Sequence, residues 1–169
     1  MSEERVRGER RTRTVAWEDP APSVPRLIEM TGLEAMQAVV SGDLPSSPFV
    51  EVIGVRAVEA EDGKVTLAVL PEEHHANPAG GVHGGLAAAL LDSAMWSAVL
   101  TKMPAGTFCT TLQMNVNYVR PLPMNEGEVR AEGRVVHSGR RTAVAEGQLF
   151  DANGKLCAHG TATCVVVGA

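Results

Sequence analysis

Only three cysteines occur in this chain, Cys109, Cys157 and Cys164, and no Cys-x-x-Cys pair is among them. An odd, unpaired set excludes a disulfide framework and a zinc site of the usual spacing, and it points to a reducing, cytoplasmic setting. Positive charge is in deficit too. With 15 Lys and Arg against 20 Asp and Glu, the net charge is −5 at pH 7, which argues against a general nucleic-acid binder but leaves room for a local basic pocket. No long hydrophobic run is present. The stretch Leu86–Leu100 covers only 15 residues and carries Asp92 near its middle, whereas a bilayer span needs roughly 20 apolar residues. A buried helix is expected there, with no membrane partner. The N-terminus is Arg-rich but has no apolar h-region, so no secretory signal is expected.

The chain does have enough apolar material for one core. At 169 residues with 44% hydrophobic content, it predicts a single domain with a tail rather than two domains. Residues 1–24 mix Arg and Glu and run into Pro20, Pro22 and Pro25, which predicts a flexible tail ahead of a domain at 25–169. From Pro25 to Val40 the apolar residues recur at helical spacing until Gly42, Pro45 and Pro48 stop them, predicting one amphipathic helix. Residues 49–59 and 64–70 read as two strands around Glu61-Asp62-Gly63. After the central helix the period switches to two, and residues 108–120, 127–137, 141–150 and 156–167 read as four long strands. Consecutive strands with short turns predict an antiparallel sheet covering one apolar helix, an α+β fold. Ala87, Ala88 and Ala89 suit a helix lying close against a curved sheet.

The densest chemical signal is Asn77-Pro-Ala-Gly-Gly-Val-His83-Gly84-Gly85, which runs straight into that helix. A helix N-terminus presents unpaired N–H donors and a partial positive charge, so it can hold an oxygen that is gaining negative charge. Asp92 is the only formally charged side chain between Gly80 and Leu100, and a carboxylate in apolar surroundings must be paired or used. The turn is not a nucleotide loop. Leu86 stands where a phosphate loop needs Lys, and Gly-x-Gly-x-x-Gly is absent. His74, His75 and His83 lack metal-ligand spacing, so no metal and no cofactor is expected.

Asn77, then His83-Gly84-Gly85 six residues on, then Asp92 nine residues after His83, resembles the motif of PaaI-like hotdog-fold acyl-CoA thioesterases, in the 4-hydroxybenzoyl-CoA thioesterase superfamily. The resemblance runs from Gly32-Leu-Glu-Ala-Met through Asn117-Tyr-x-Arg-Pro121 to the C-terminal strands. It implies a hotdog fold, about six antiparallel strands wrapped around a long helix, here with an extra N-terminal helix. It also implies hydrolysis of an acyl-CoA to free acid and coenzyme A. Asp92 is then base or nucleophile, Gly84 the oxyanion donor with Gly85 beside it against the substrate, and Asn77 and His83 orient substrate or water. Thr111 matches the Ser or Thr found on the following strand in many relatives, with Thr110 as the near alternative. Arg120 and the loop Ser138-Gly139-Arg140 suit the nucleotide part of coenzyme A. Met95, Trp96 and Val99 either line an acyl tunnel or pack the core. A non-catalytic acyl-CoA binder and a hotdog dehydratase or hydratase are the alternatives.

Helix geometry adds a separate inference. Gly84 and Asp92 are eight residues apart, about 12 Å at 1.5 Å per residue, too far to serve one carbonyl carbon. The two groups are expected to come from different subunits of a two-fold dimer, and the family resemblance extends this to a dimer of dimers.

Overall fold

The computed structural model describes residues 8–168. The first seven residues of the expected tail lie outside the described residues. Ten regular elements follow one another: α1 (Val24–Glu29), α2 (Gly32–Ser41), α3 (Pro48–Val52), β1 (Arg56–Glu61), β2 (Lys64–Val69), α4 (Gly84–Leu100), β3 (Phe108–Tyr118), β4 (Val129–Ser138), β5 (Thr142–Phe150) and β6 (Leu156–Val167). The six strands form one antiparallel sheet in the order β1-β2-β4-β5-β6-β3, and it wraps around α4 as the hotdog arrangement requires.

The sequence periodicity fails in two places. The expected single helix over 25–40 is two helices, because Thr31 turns extended (ψ 156°) and caps the second with its own side chain. Glu34 N–H donates to Thr31 Oγ1 at 3.3 Å, and Thr31 N–H donates back to Glu34 Oε2 at 2.8 Å, a reciprocal box that starts α2 afresh. The expected strand over 49–59 begins instead with one helical turn. Pro48 sits at its first position, where its fixed φ favours a helix, and Phe49, Val50 and Ile53 repeat at helical rather than alternating spacing. The chain turns at Gly54 (φ 68°) and becomes β1 only at Arg56.

α4 has no polar face wide enough to meet water, so the sheet must enclose it. Leu90, Leu91, Ala94, Met95, Ala98 and Val99 are fully buried. Close approach comes from two glycines in register, Gly133 on β4 and Gly147 on β5, while Gly160, paired with Gly147 on β6, makes room for the backbone of β3 at Asn115. A side chain at Gly133 would overlap the Ala94 carbonyl and come within 2.7 Å of Met95 N. The expected role of the alanine run is only partly kept, since Ala87 is buried whereas Ala88 and Ala89 are half-buried. One stripe of α4 therefore stays uncovered by the chain's own sheet: Gly85, Ala88, Ala89, Asp92, Ser93 and Trp96.

The contacts at Gly133 and Gly147 differ in kind. At Gly133 the obstacle is backbone, while at Gly147 it is Leu91 Cδ2 and Met95 Cγ, each 3.0 Å away and able to shift. Gly133→Ala should cost about 3 kcal/mol or more and lower Tm by roughly 6–12 °C, with Gly147→Ala clearly milder. Calorimetric melts of the two variants check the order, and equal losses would mean that the helix does not rest on Gly133.

Candidate active site

The loop into α4 is held by backbone bonds. Asn77 N–H donates to Gly81 O at 2.7 Å, Gly80 N–H returns to Asn77 O at 3.0 Å, and His83 N–H donates to His75 O at 2.8 Å. Asn77 Oδ1 accepts from Ala79 N–H at 2.9 Å and from Gly81 N–H at 3.3 Å, so this oxygen shapes the turn and only Nδ2 is free among the described residues. His83 caps α4. Its Nδ1 accepts from Gly85 N–H at 2.8 Å, while its carbonyl accepts from Leu86 N–H at 3.0 Å. Accepting at Nδ1 places the ring proton of the neutral imidazole on Nε2. Gly84 N–H, between these two, has no acceptor among the described residues, and Gly84 is exposed. A first-turn amide left open in this way is an anion-facing donor.

The sequence signal had assigned no role to Tyr118, the only tyrosine of the chain. Its hydroxyl donates to Gly84 O at 3.2 Å and ties the end of β3 to the start of α4. His83, Gly84, Tyr118, Arg120 and Leu122 line a cleft of about 390 Å³. The Arg120 guanidinium donates to Leu156 O at 2.7 Å, which fixes it at the rim. The position of Tyr118 inside Asn117-Tyr-x-Arg-Pro121 was the one available signal.

Asp92 lies elsewhere. Thr111 Oγ1 donates to Asp92 Oδ1 at 2.9 Å, whereas Thr110 points to the exposed side of β3; strand alternation thus decides between the two threonines. With its proton given to Asp92, Thr111 meets Cys164 Sγ at 4.0 Å as acceptor. Trp96, one turn beyond Asp92, donates from Nε1 to Cys109 O at 2.8 Å. Met95 and Val99 are fully buried; they pack the core, and of the three only Trp96 lines a cavity. Ser138, Gly139 and Arg140 form the β4–β5 turn, closed by Gly139 N–H on Thr142 O at 2.9 Å. Through Thr142↔Val165↔Thr110 that turn belongs to the Thr111 end of the sheet.

Within one chain, then, the candidate residues separate into two groups. Asn77, His83, Gly84, Gly85 and Arg120 gather at the N-terminus of α4, and Asp92, Trp96, Thr111 and Ser138–Arg140 lie toward the other end. Among the described residues no group of His, Cys, Asp or Glu is placed to hold a metal ion, and no helix is long and apolar enough to cross a membrane.

Residues 79–158 match the model of the thioesterase superfamily. Human acyl-coenzyme A thioesterase 13 is 30% identical over 132 residues, covering 77% of this chain and 93% of that protein. The chain belongs to the thioesterase superfamily. Among solved structures, this thioesterase superfamily member resembles a conserved protein of Pseudomonas aeruginosa at 31% identity and a TM-score of 0.67, covering 72% of this chain and 95% of that one. The PaaI protein of E. coli aligns at a TM-score of 0.71 over 84% of this chain and 97% of its own, and at 16% identity it shows the shared fold alone.

The loop carrying these residues rests on His75, which is buried. Its Nδ1 accepts from Glu72 N–H at 3.0 Å and its Nε2 donates to Ile53 O at 3.0 Å, an arrangement open only to the neutral ring. Burial lowers its pKa from the ordinary 6.5. The resulting stability is present above pH 6.5 and is lost as pH falls through the lower folded-state value. Tm should therefore drop as pH goes from 7 to 5, and His75→Gln, which keeps a donor and an acceptor without titrating, should reduce that slope. An unchanged slope would show that His75 is not the titrating group.

Proposed function

We propose that the protein hydrolyses acyl-coenzyme A thioesters at sites shared between two copies of the chain. The observation that carries this reading is the arrangement along α4: an open Gly84 amide at its start, an Asp92 carboxylate held by Thr111 at 2.9 Å, and an uncovered stripe joining them. Eight residues of helix, about 12 Å, separate the two groups. Two α4 helices running antiparallel across a two-fold would bring Gly84 of one copy toward Asp92 of the other. The name of the human relative, an acyl-coenzyme A thioesterase, supports the substrate class.

The chemistry asks for little more than these groups. Thr111 occupies Oδ1 of Asp92 and leaves Oδ2 to take a proton from water or to attack the carbonyl carbon itself. The carbonyl oxygen becomes an oxyanion facing the Gly84 N–H, and the tetrahedral intermediate collapses by breaking the C–S bond; where Asp92 itself attacked, water then hydrolyses the resulting anhydride to the free acid and restores the carboxylate. A thiol with a pKa near 8.5 leaves as thiolate without a strong general acid. Asn77 Nδ2 and His83 Nε2–H are left to orient the carbonyl or the water, and Arg120 with the Ser138–Arg140 turn to meet the nucleotide. No cofactor takes part in this scheme.

Release of free thiol from short, medium and aryl acyl-CoAs, followed with a thiol-reactive dye, should identify at least one substrate. Asp92→Asn should then lower kcat by about 10²- to 10⁴-fold with little change in KM. Thr111→Val, which removes one hydrogen bond to a charged group worth about 1.5–3 kcal/mol, should cost roughly 10- to 100-fold. Absence of thiol release from every acyl-CoA, or near-native turnover by Asp92→Asn, contradicts the proposal.

A further inference from the structure

A second cavity, of about 270 Å³, opens on the other side of Asp92, between α2, α3, β1 and α4. Met36, Val39, Phe49, Ala57 and Trp96 supply much of its wall, and none of the residues lining it carries a formal charge. Ser93, the neighbour of Asp92 on α4, lies on that wall, and Trp96 stands one helical turn beyond Asp92. Asp92 itself is not on the wall, but Ser93 and Trp96 bring the cavity to the stretch of α4 that carries it. Phe49 is 58% exposed at its edge, so the chamber is open to a ligand. The lining is mostly apolar, with serine hydroxyls as its polar groups, and a hydrocarbon of matching length gains dispersion contacts by filling it.

Resting on the proposed acyl-CoA hydrolysis, we infer that this cavity is the acyl subsite and that it takes an uncharged acyl chain of medium length. A void of about 150 Å³ accommodates benzene, with its six carbons, so a chamber of this volume holds about ten. Acyl groups ending in a carboxylate are disfavoured, because no cationic side chain lines the wall to pair with a buried charge. Acetyl leaves the chamber empty, and palmitoyl overfills it.

The test is a chain-length series on the full chain. From acetyl-CoA upward, kcat/KM should rise about fourfold per methylene, reach its maximum near decanoyl-CoA and fall for palmitoyl-CoA. Val39→Phe, which fills the chamber from α2, should move the maximum to shorter chains. Ala57→Leu does the same from β1 and stands in if the first variant does not fold. A profile flat in chain length, or a maximum that neither variant moves, overturns the subsite while leaving acyl-CoA hydrolysis intact. Calorimetric titration with decanoate separates the two readings in the opposite case. If no acyl-CoA is hydrolysed, decanoate binding that is lost in Val39→Phe still upholds the cavity as a hydrocarbon site, and absence of binding overturns it.

Discussion

The packing of this fold rests on the contact between the backbone of α4 at Ala94–Met95 and Gly133 of β4. A helix that is apolar on nearly every side cannot meet water, and a sheet can enclose it only by bending and approaching closely. The in-register glycines 133 and 147 supply the space. Their position also fixes the rotation of α4 about its own axis. Once Leu91, Ala94 and Met95 face the glycine row, the stripe bearing Asp92, Ser93 and Trp96 is left outside the sheet. Packing and chemistry are thus set by one contact: the helix shows solvent only the face that carries its carboxylate.

The same helix divides the polar groups. Its first turn offers the unpaired Gly84 N–H with His83 as cap, and its middle carries Asp92 tied to Thr111. A straight helix cannot fold one onto the other. The proposed dimer answers this by using both groups twice, and the uncovered stripe gives a second copy a face to meet. β3, at the edge of the sheet and with Leu112 62% exposed, has unpaired backbone groups along the same side. The apolar chamber is lined by Ser93 and Trp96 of the same helix, and the proposed acyl subsite therefore shares α4 with the proposed carboxylate.

Much of this was legible in the residues. Strands β3 to β6 alternate over most of their length, with register shifts at Thr111/Gln113, Val135/His137 and Leu149/Phe150, and the turns at Gly63 and Gly154 carry the positive φ that their Asp-Gly and Asn-Gly pairs favour. The separation of Gly84 from Asp92 follows from residue count alone. The break at Thr31 was not read, because apolar spacing continues across it and only the Thr31–Glu34 box interrupts the helix. The turn of α3 was hidden by β-branched residues, although Ser47-Pro48 marked its start. The choice between Thr110 and Thr111, and between Trp96 and its neighbours Met95 and Val99, depended on which face the sheet covers. That is a tertiary fact without a local signature. Asn77 shows a further limit, since an amide that closes a turn and an amide that orients a substrate are the same residue type.

The shared site is tested most directly by mixing two inactive chains, Asp92→Asn and Gly84→Val, under conditions in which subunits exchange. In a mixed dimer one site carries both lesions and the other carries neither. With equal amounts and random pairing, activity should return to about a quarter of the wild-type value per chain, as two-fold symmetry requires. If mass spectrometry shows mixed dimers and thiol release stays at background, Gly84 and Asp92 do not serve one thioester from two subunits, and the account of the site is contradicted.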